Sequence, residues 1–126
     1  MMKQILSTDK APAAIGPYSQ GVLAGGLYFF SGQIPLDPLT GKLIGSSVEE
    51  QAEQVFQNIG ALLESQNLTF DHIVKTTVFL QSMADFPTVN EIYGRYFKAP
   101  YPARSCVEVS SLPKGALLEV EVVAVP

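Results

Sequence analysis

Residues 104–125 read RSCVEVSSLPKGALLEVEVVAV, and the alternation in this stretch decides how the rest of the chain must be arranged. Successive residues of a strand point to opposite faces of a sheet. Leu118, Val120, Val122 and Ala124 therefore form one apolar stripe, while Glu119 and Glu121 face the other way. The run before it alternates too, with Arg104, Cys106 and Glu108 on one face and Ser105, Val107 and Val109 on the other. Between the two runs, SLPKG at residues 111–115 has the composition of a turn, so they are expected to pair as a hairpin. If that connection sets the register, Cys106 lies nearly opposite Glu119 with Arg104 one pleat away, on the face turned from the apolar stripe.

The apolar stripe needs a covering layer, and two segments supply it. Val48, Ala52, Val55, Phe56, Ile59, Leu62 and Leu63 recur at three- and four-residue steps and predict an amphipathic helix from Ser47 to near Asn67. Ser47 with Glu50 three residues on has the form of a capping box. A second helix, capped by Asp85 and ended by Pro100 and Pro102, carries Phe86, Val89, Ile92, Tyr93, Tyr96 and Phe97, a stripe read as core. Residues 73–80, rich in β-branched side chains, read as a buried strand between the helices. Further strands are expected at residues 3–6, 18–24 and 27–30, the last two joined at Gly25-Gly26. Pro35, Asp37, Pro38 and Gly41 make residues 34–43 a loop. Residues 1–126 thus form a single α+β domain, a mixed sheet with two helices on one face.

Two helices leave the other sheet face bare, to be solvated or buried against other subunits. Charged residues are 16% of the chain, below the roughly 25% of soluble domains, which favours burial in a homo-oligomer. A net charge of −4 with no basic run argues against nucleic acid as a partner. No segment approaches the ~20 apolar residues of a membrane span, and the first residues lack the apolar run of a signal peptide. The lone Cys106 fits a reducing compartment, and a cytoplasmic location is expected.

For chemistry, Arg104 offers a planar fork suited to a small carboxylate, and Glu119 could move protons if partial burial raised its pKa. From spacing alone, a cross-strand ion pair explains the same residues more simply. Cys106 reads as a packing residue, because the single histidine, His72, lies far away in sequence and is itself read as a solvated turn residue. One Cys and one His cannot form a conventional zinc site. Gly25-Gly26 and Gly32 match no phosphate-binding fingerprint and read as turns.

Three strings carry a resemblance: APAAIGPYSQG at residues 11–21, SGQIPLDPLTGKL at 31–43 and PARSCVEVSSLPKGALLEV at 102–120. In this order they resemble the RidA (YjgF/YER057c) family over nearly the whole chain, with a small departure at Val120, where the family usually carries Ile or Met. The resemblance implies a chorismate-mutase-like fold, a homotrimer with sheets facing one another, and active sites in the clefts between subunits. It implies hydrolysis of enamines and imines such as 2-aminoacrylate, 2-iminopropanoate and 2-iminobutanoate to 2-keto acids and ammonia, with no cofactor. By position it assigns Arg104 to the substrate carboxylate, Glu119 to the attacking water, the Cys106 backbone to the imine nitrogen, and Tyr18, Ser31, Gly32 and Asn90 to the pocket lining. A non-enzymatic carboxylate-binding module of the same fold is the alternative. An endoribonuclease role, ascribed to some relatives, fits the acidic charge poorly.

Overall fold

The computed structural model describes residues 2–126. Eight main elements run β1 (Gln4–Leu6), β2 (Gly21–Ala24), β3 (Leu27–Gln33), α1 (Val48–Glu64), β4 (Ile73–Leu80), α2 (Phe86–Tyr96), β5 (Ala103–Glu108) and β6 (Leu118–Ala124). They form one mixed sheet in the order β1-β2-β3-β6-β4-β5, in which only β4 and β5 are parallel. Both helices pack on the face carrying Val78, Leu80, Leu118, Val120 and Val122, all of them buried. The α+β architecture expected from the sequence is present.

The expected C-terminal hairpin is not. β4, α2 and β5 form a parallel crossover, and β6 returns antiparallel on the other side of β4. Strand, helix and strand in succession favour that unit, since a helix-length connection lets parallel neighbours pair. The turn chemistry of SLPKG is real, with a 3₁₀ turn at Pro113–Gly115 and Lys114 at φ 58°. It serves a longer link that crosses the end of β4, where the Val109 amide bonds the Leu80 carbonyl and the Gln81 amide bonds the Leu117 carbonyl.

Local signals hold closely for α1. Its start is a reciprocal cap, in which the Glu50 amide donates to Ser47 Oγ at 3.2 Å and the Ser47 amide donates to Glu50 Oε1 at 3.3 Å. Donation from the Ser47 hydroxyl, then from the Ser47 and Ser46 amides, holds the Glu50 pKa below the usual carboxylate range. Ser47→Ala is expected to cost about 1 kcal/mol, read as a lower urea midpoint with unchanged slope. Helix α1 ends at Glu64 and unwinds through a turn to Asn67 at φ 59°. Asp85 makes no side-chain cap for α2; Ser82 Oγ accepts from the Ala84 amide, and Glu108 Oε1 from the Met83 amide. A 3₁₀ turn before the helix took over the role assigned to Asp85.

The helices meet through aromatic rings. Phe56, fully buried, stacks on Tyr96 at 4.9 Å and meets Tyr93 and Phe97 edge-on. Tyr96 donates to Glu53 at 2.5 Å, and burial followed by that bond raises its pKa to about 12. Among the described residues, no helix or second sheet covers the opposite sheet face. Ile5, Phe29 and Val107 stand exposed there, and β5 is exposed along nearly its whole length at the sheet edge.

Candidate functional site in two halves

Register sorts the expected site residues onto two faces. Val78 is level with both Cys106 and Val120, and Thr76 with both Arg104 and Val122. Arg104 and Cys106 therefore belong to the helix-covered side, whereas Glu119, level with Phe79 and Val107, belongs to the bare side. The single cluster of guanidinium, thiol and carboxylate expected from a hairpin is thus corrected. Insertion of β4 between the two strands shifts Cys106 to the level of Val120, and one residue of register exchanges faces.

The first half lies at the β5 edge beside α2. The Arg104 guanidinium sits 4.8 Å from the Tyr93 ring centre and 5.5 Å from that of Phe86, and Arg104 Nη1 donates to Asn90 Oδ1 at 2.7 Å. Ring faces attract the cation, and the bond to Asn90 fixes one edge of its fork. Tyr93 is itself anchored through its hydroxyl to the buried Thr76 hydroxyl at 2.8 Å. Asn90, Tyr93, Tyr101, Pro102 and Arg104 line a hollow of about 480 Å³. The Cys106 thiol is pushed up in pKa by burial, against a smaller lowering by Arg104, so it stays protonated at neutral pH.

The second half lies on the bare face, where β3 departs from regular pairing. Phe30 is level with Val122 and Gln33 with Val120, so β3 spends one extra residue there, a bulge containing Ser31 and Gly32. Bulges re-aim side chains locally. The Ser31 hydroxyl donates to the Ser19 carbonyl at 2.6 Å, and its amide to the Gln20 carbonyl at 2.9 Å. The buried Gln20 amide group in turn holds the loop before it, accepting from the Thr8 amide and donating to the Thr8, Ala11 and Pro12 carbonyls. Tyr18, Ser31, Gly32, Lys114, Glu119 and Glu121 share a cavity of about 700 Å³. Glu119 is half-buried there, and its pKa is raised first by burial and then by the neighbouring Glu121 charge.

The two hollows have no lining residue in common. Among the expected residues, Tyr18, Ser31, Gly32 and Glu119 come together, as do Arg104 and Asn90, while Cys106 lines neither hollow. Gly32 lies in a strand bulge, not in the turn expected for it. Tyr93 was read as core; it is buried and also backs the guanidinium, a double role that helical periodicity cannot reveal. Phe86, the second ring beneath the guanidinium, and Tyr101, which lines the hollow, had no separate signal either. A third hollow between the helices, lined by Glu49, Glu50, Glu53 and Glu91, is bridged by Arg95, which pairs with Glu53 at 3.2 Å and Glu91 at 3.4 Å. His72 accepts from the Thr69 amide in a 3₁₀ turn, as a turn residue should. Among the described residues no group of three His, Cys, Asp or Glu side chains could hold a metal ion, and no helix is long and apolar enough to cross a membrane.

One mixed sheet with two helices on a single face is a single-domain α+β architecture of the kind that the resemblance to the RidA family implies. The chain belongs to the family described as Endoribonuclease L-PSP, which it matches over residues 8–126. Reactive Intermediate Deaminase A, chloroplastic, of Arabidopsis thaliana is 51% identical over 122 residues, covering 97% of this chain and 65% of that longer protein. The human 2-iminobutanoate/2-iminopropanoate deaminase is 47% identical over 125 residues, covering 99% of this chain and 91% of that one. In the crystal structure of YyfA from Yersinia pestis, of the conserved Rid protein family, 49% of residues are identical and the TM-score is 0.96, covering 99% of this chain and 100% of that one.

Proposed function

We propose that this protein hydrolyses small enamines and imines derived from amino acids, such as 2-aminoacrylate, 2-iminopropanoate and 2-iminobutanoate, to 2-keto acids and ammonia. Each active site forms between two subunits of a homotrimer. The observation that carries this reading is the division of the site residues into two separate hollows, one holding a positioned cation and the other a half-buried acid. Neither half completes the chemistry alone. The exposed β5 edge and the bare apolar face with Phe29 and Val107 support burial against other copies.

In the proposed mechanism, Arg104 of one subunit binds the substrate carboxylate with its fork, oriented by Asn90 and the rings beneath it. An enamine first takes a proton from solvent at its β-carbon and becomes the protonated imine. Glu119 of the neighbouring subunit accepts a proton from water as the water oxygen bonds to the imine carbon, giving a carbinolamine. That proton passes to the nitrogen, and as the C–N bond breaks the carbinolamine hydroxyl gives its proton back to the Glu119 carboxylate, so that ammonia leaves and the keto group forms. The imine carbon is already electrophilic, so positioning and one proton shuttle suffice. Tyr18, Ser31 and Gly32 line the Glu119 side, and the Cys106 backbone faces the imine nitrogen. The reading includes a cytoplasmic location, supported by the lone thiol.

The test generates 2-iminobutanoate in a coupled reaction and follows its decay, with the protein's mass measured in parallel. Accelerated decay with 2-ketobutyrate as product, and a light-scattering mass of three chains at micromolar concentration, are expected. Binding of keto acid without accelerated decay would instead establish a ligand-binding module, and a mass of one chain would overturn the shared site.

A further inference from the structure

We propose that Gly32 is a positioning residue for catalysis: the missing side chain leaves the space in which the Glu119 carboxylate lies against the β3 bulge. The proposal rests on the reading of Glu119 as the proton acceptor. A Cβ built on Gly32 would stand 2.0 Å from Glu119 Oε2, 2.9 Å from its Cδ and 3.1 Å from its Cγ. All three nearest atoms belong to the one side chain. Backbone conformation gives no reason for glycine here, because Gly32 is absent from the positive-φ glycines, which are Gly16, Gly25, Gly26, Gly41, Gly45 and Gly115. Space is the remaining reason.

The space matters because nothing else holds the acid. Among the described residues no hydrogen bond or ion pair engages the Glu119 carboxylate. Its neighbours on the bare face are Glu121 along β6 and Thr77, Phe79 and Val107 across the sheet, with Lys114 on the cavity rim. A carboxylate fixed only by packing is set by the shape of the surface it rests on, and that surface is the bare backbone at Gly32. The bulge changes the face of Gly32: Phe30 and Gln33 pair with Val122 and Val120, so Ser31 and Gly32 together stand opposite Glu121 on the bare face, where unbroken pairing would have set Gly32 level with Val120 on the helix-covered side. A methyl group at position 32 meets the mobile end of a side chain, so Glu119 swings away and the fold adapts. A displacement of about 1 Å in a catalytic group can cost on the order of 100-fold in rate.

The experiment compares the wild type with Gly32→Ala, Glu119→Gln and the double variant. Gly32→Ala is expected to lower kcat at least 10-fold with KM little changed and the thermal midpoint retained. In carboxyl-¹³C NMR, the Glu119 signal, identified by its loss in Glu119→Gln, should titrate nearer to an ordinary glutamate because the acid has moved into water. The double variant should be no slower than Glu119→Gln, since Gly32 acts through an acid already removed. Multiplying losses, or an unchanged Glu119 titration in Gly32→Ala, would overturn the proposal. Wild-type turnover by Glu119→Gln would instead overturn the role given to Glu119, while the NMR result would still report whether Gly32 seats the side chain.

Discussion

Replacing Arg104 with Ala should lower kcat/KM for 2-iminobutanoate by roughly 100-fold or more, the loss expected when one partner of a desolvated charge pair is truncated. In the proposed site the guanidinium pairs with the substrate carboxylate; its fork is oriented by Asn90 and by the rings of Tyr93 and Phe86. Stability should hardly change, because Arg104 is exposed and makes no ion pair within the chain among the described residues. Arg104→Lys should recover little, since an ammonium keeps the charge and loses the planar pairing. The coupled assay with light scattering on the same sample checks this result. A trimer with unimpaired turnover in Arg104→Ala would remove the carboxylate-binding role.

Much of this was legible from local pattern and less from pairing. The helix under Phe56 and the apolar stripe from Leu118 to Ala124 follow from periodicity, because burial on one face repeats with the geometry of the element itself. The place of β5 does not, because SLPKG signals a chain reversal without saying which strand receives the chain afterwards. Parallel pairing of Lys75–Leu80 with β5 is a long-range choice made through the α2 crossover. That choice put Arg104 and Glu119 on opposite faces and turned one expected cluster into two half-sites. The bulge at Ser31 and Gly32 was equally invisible, since an inserted residue leaves strand composition unchanged. The resemblance pointed to Tyr18, Ser31, Gly32 and Asn90 as candidates that spacing had not picked out; the geometry then sorted the candidates by face.

Replacing Glu119 with Gln should lower kcat by about 100-fold or more, the usual scale of a positioned general base. Wild-type kcat should fall as acid protonates Glu119, and the fall should begin at higher pH than for an ordinary glutamate because burial and Glu121 raise its pKa. Stability moves in the opposite sense. A carboxyl whose folded pKa exceeds its unfolded value binds its proton more tightly when folded, which stabilises below the unfolded pKa and is lost as pH rises through the folded pKa. At neutral pH the ionised acid is therefore a burden on the fold, and Glu119→Gln should melt higher than the wild type at pH 7, with the advantage shrinking in acid. An inactive but more stable variant separates a functional acid from a structural one. Mixing it with Arg104→Ala then tests the shared site directly. After unfolding and refolding together in equal amounts, the two inactive chains should regain about one quarter of wild-type activity, because one interface in four joins an intact Arg104 to an intact Glu119. A site contained within one chain would regain none.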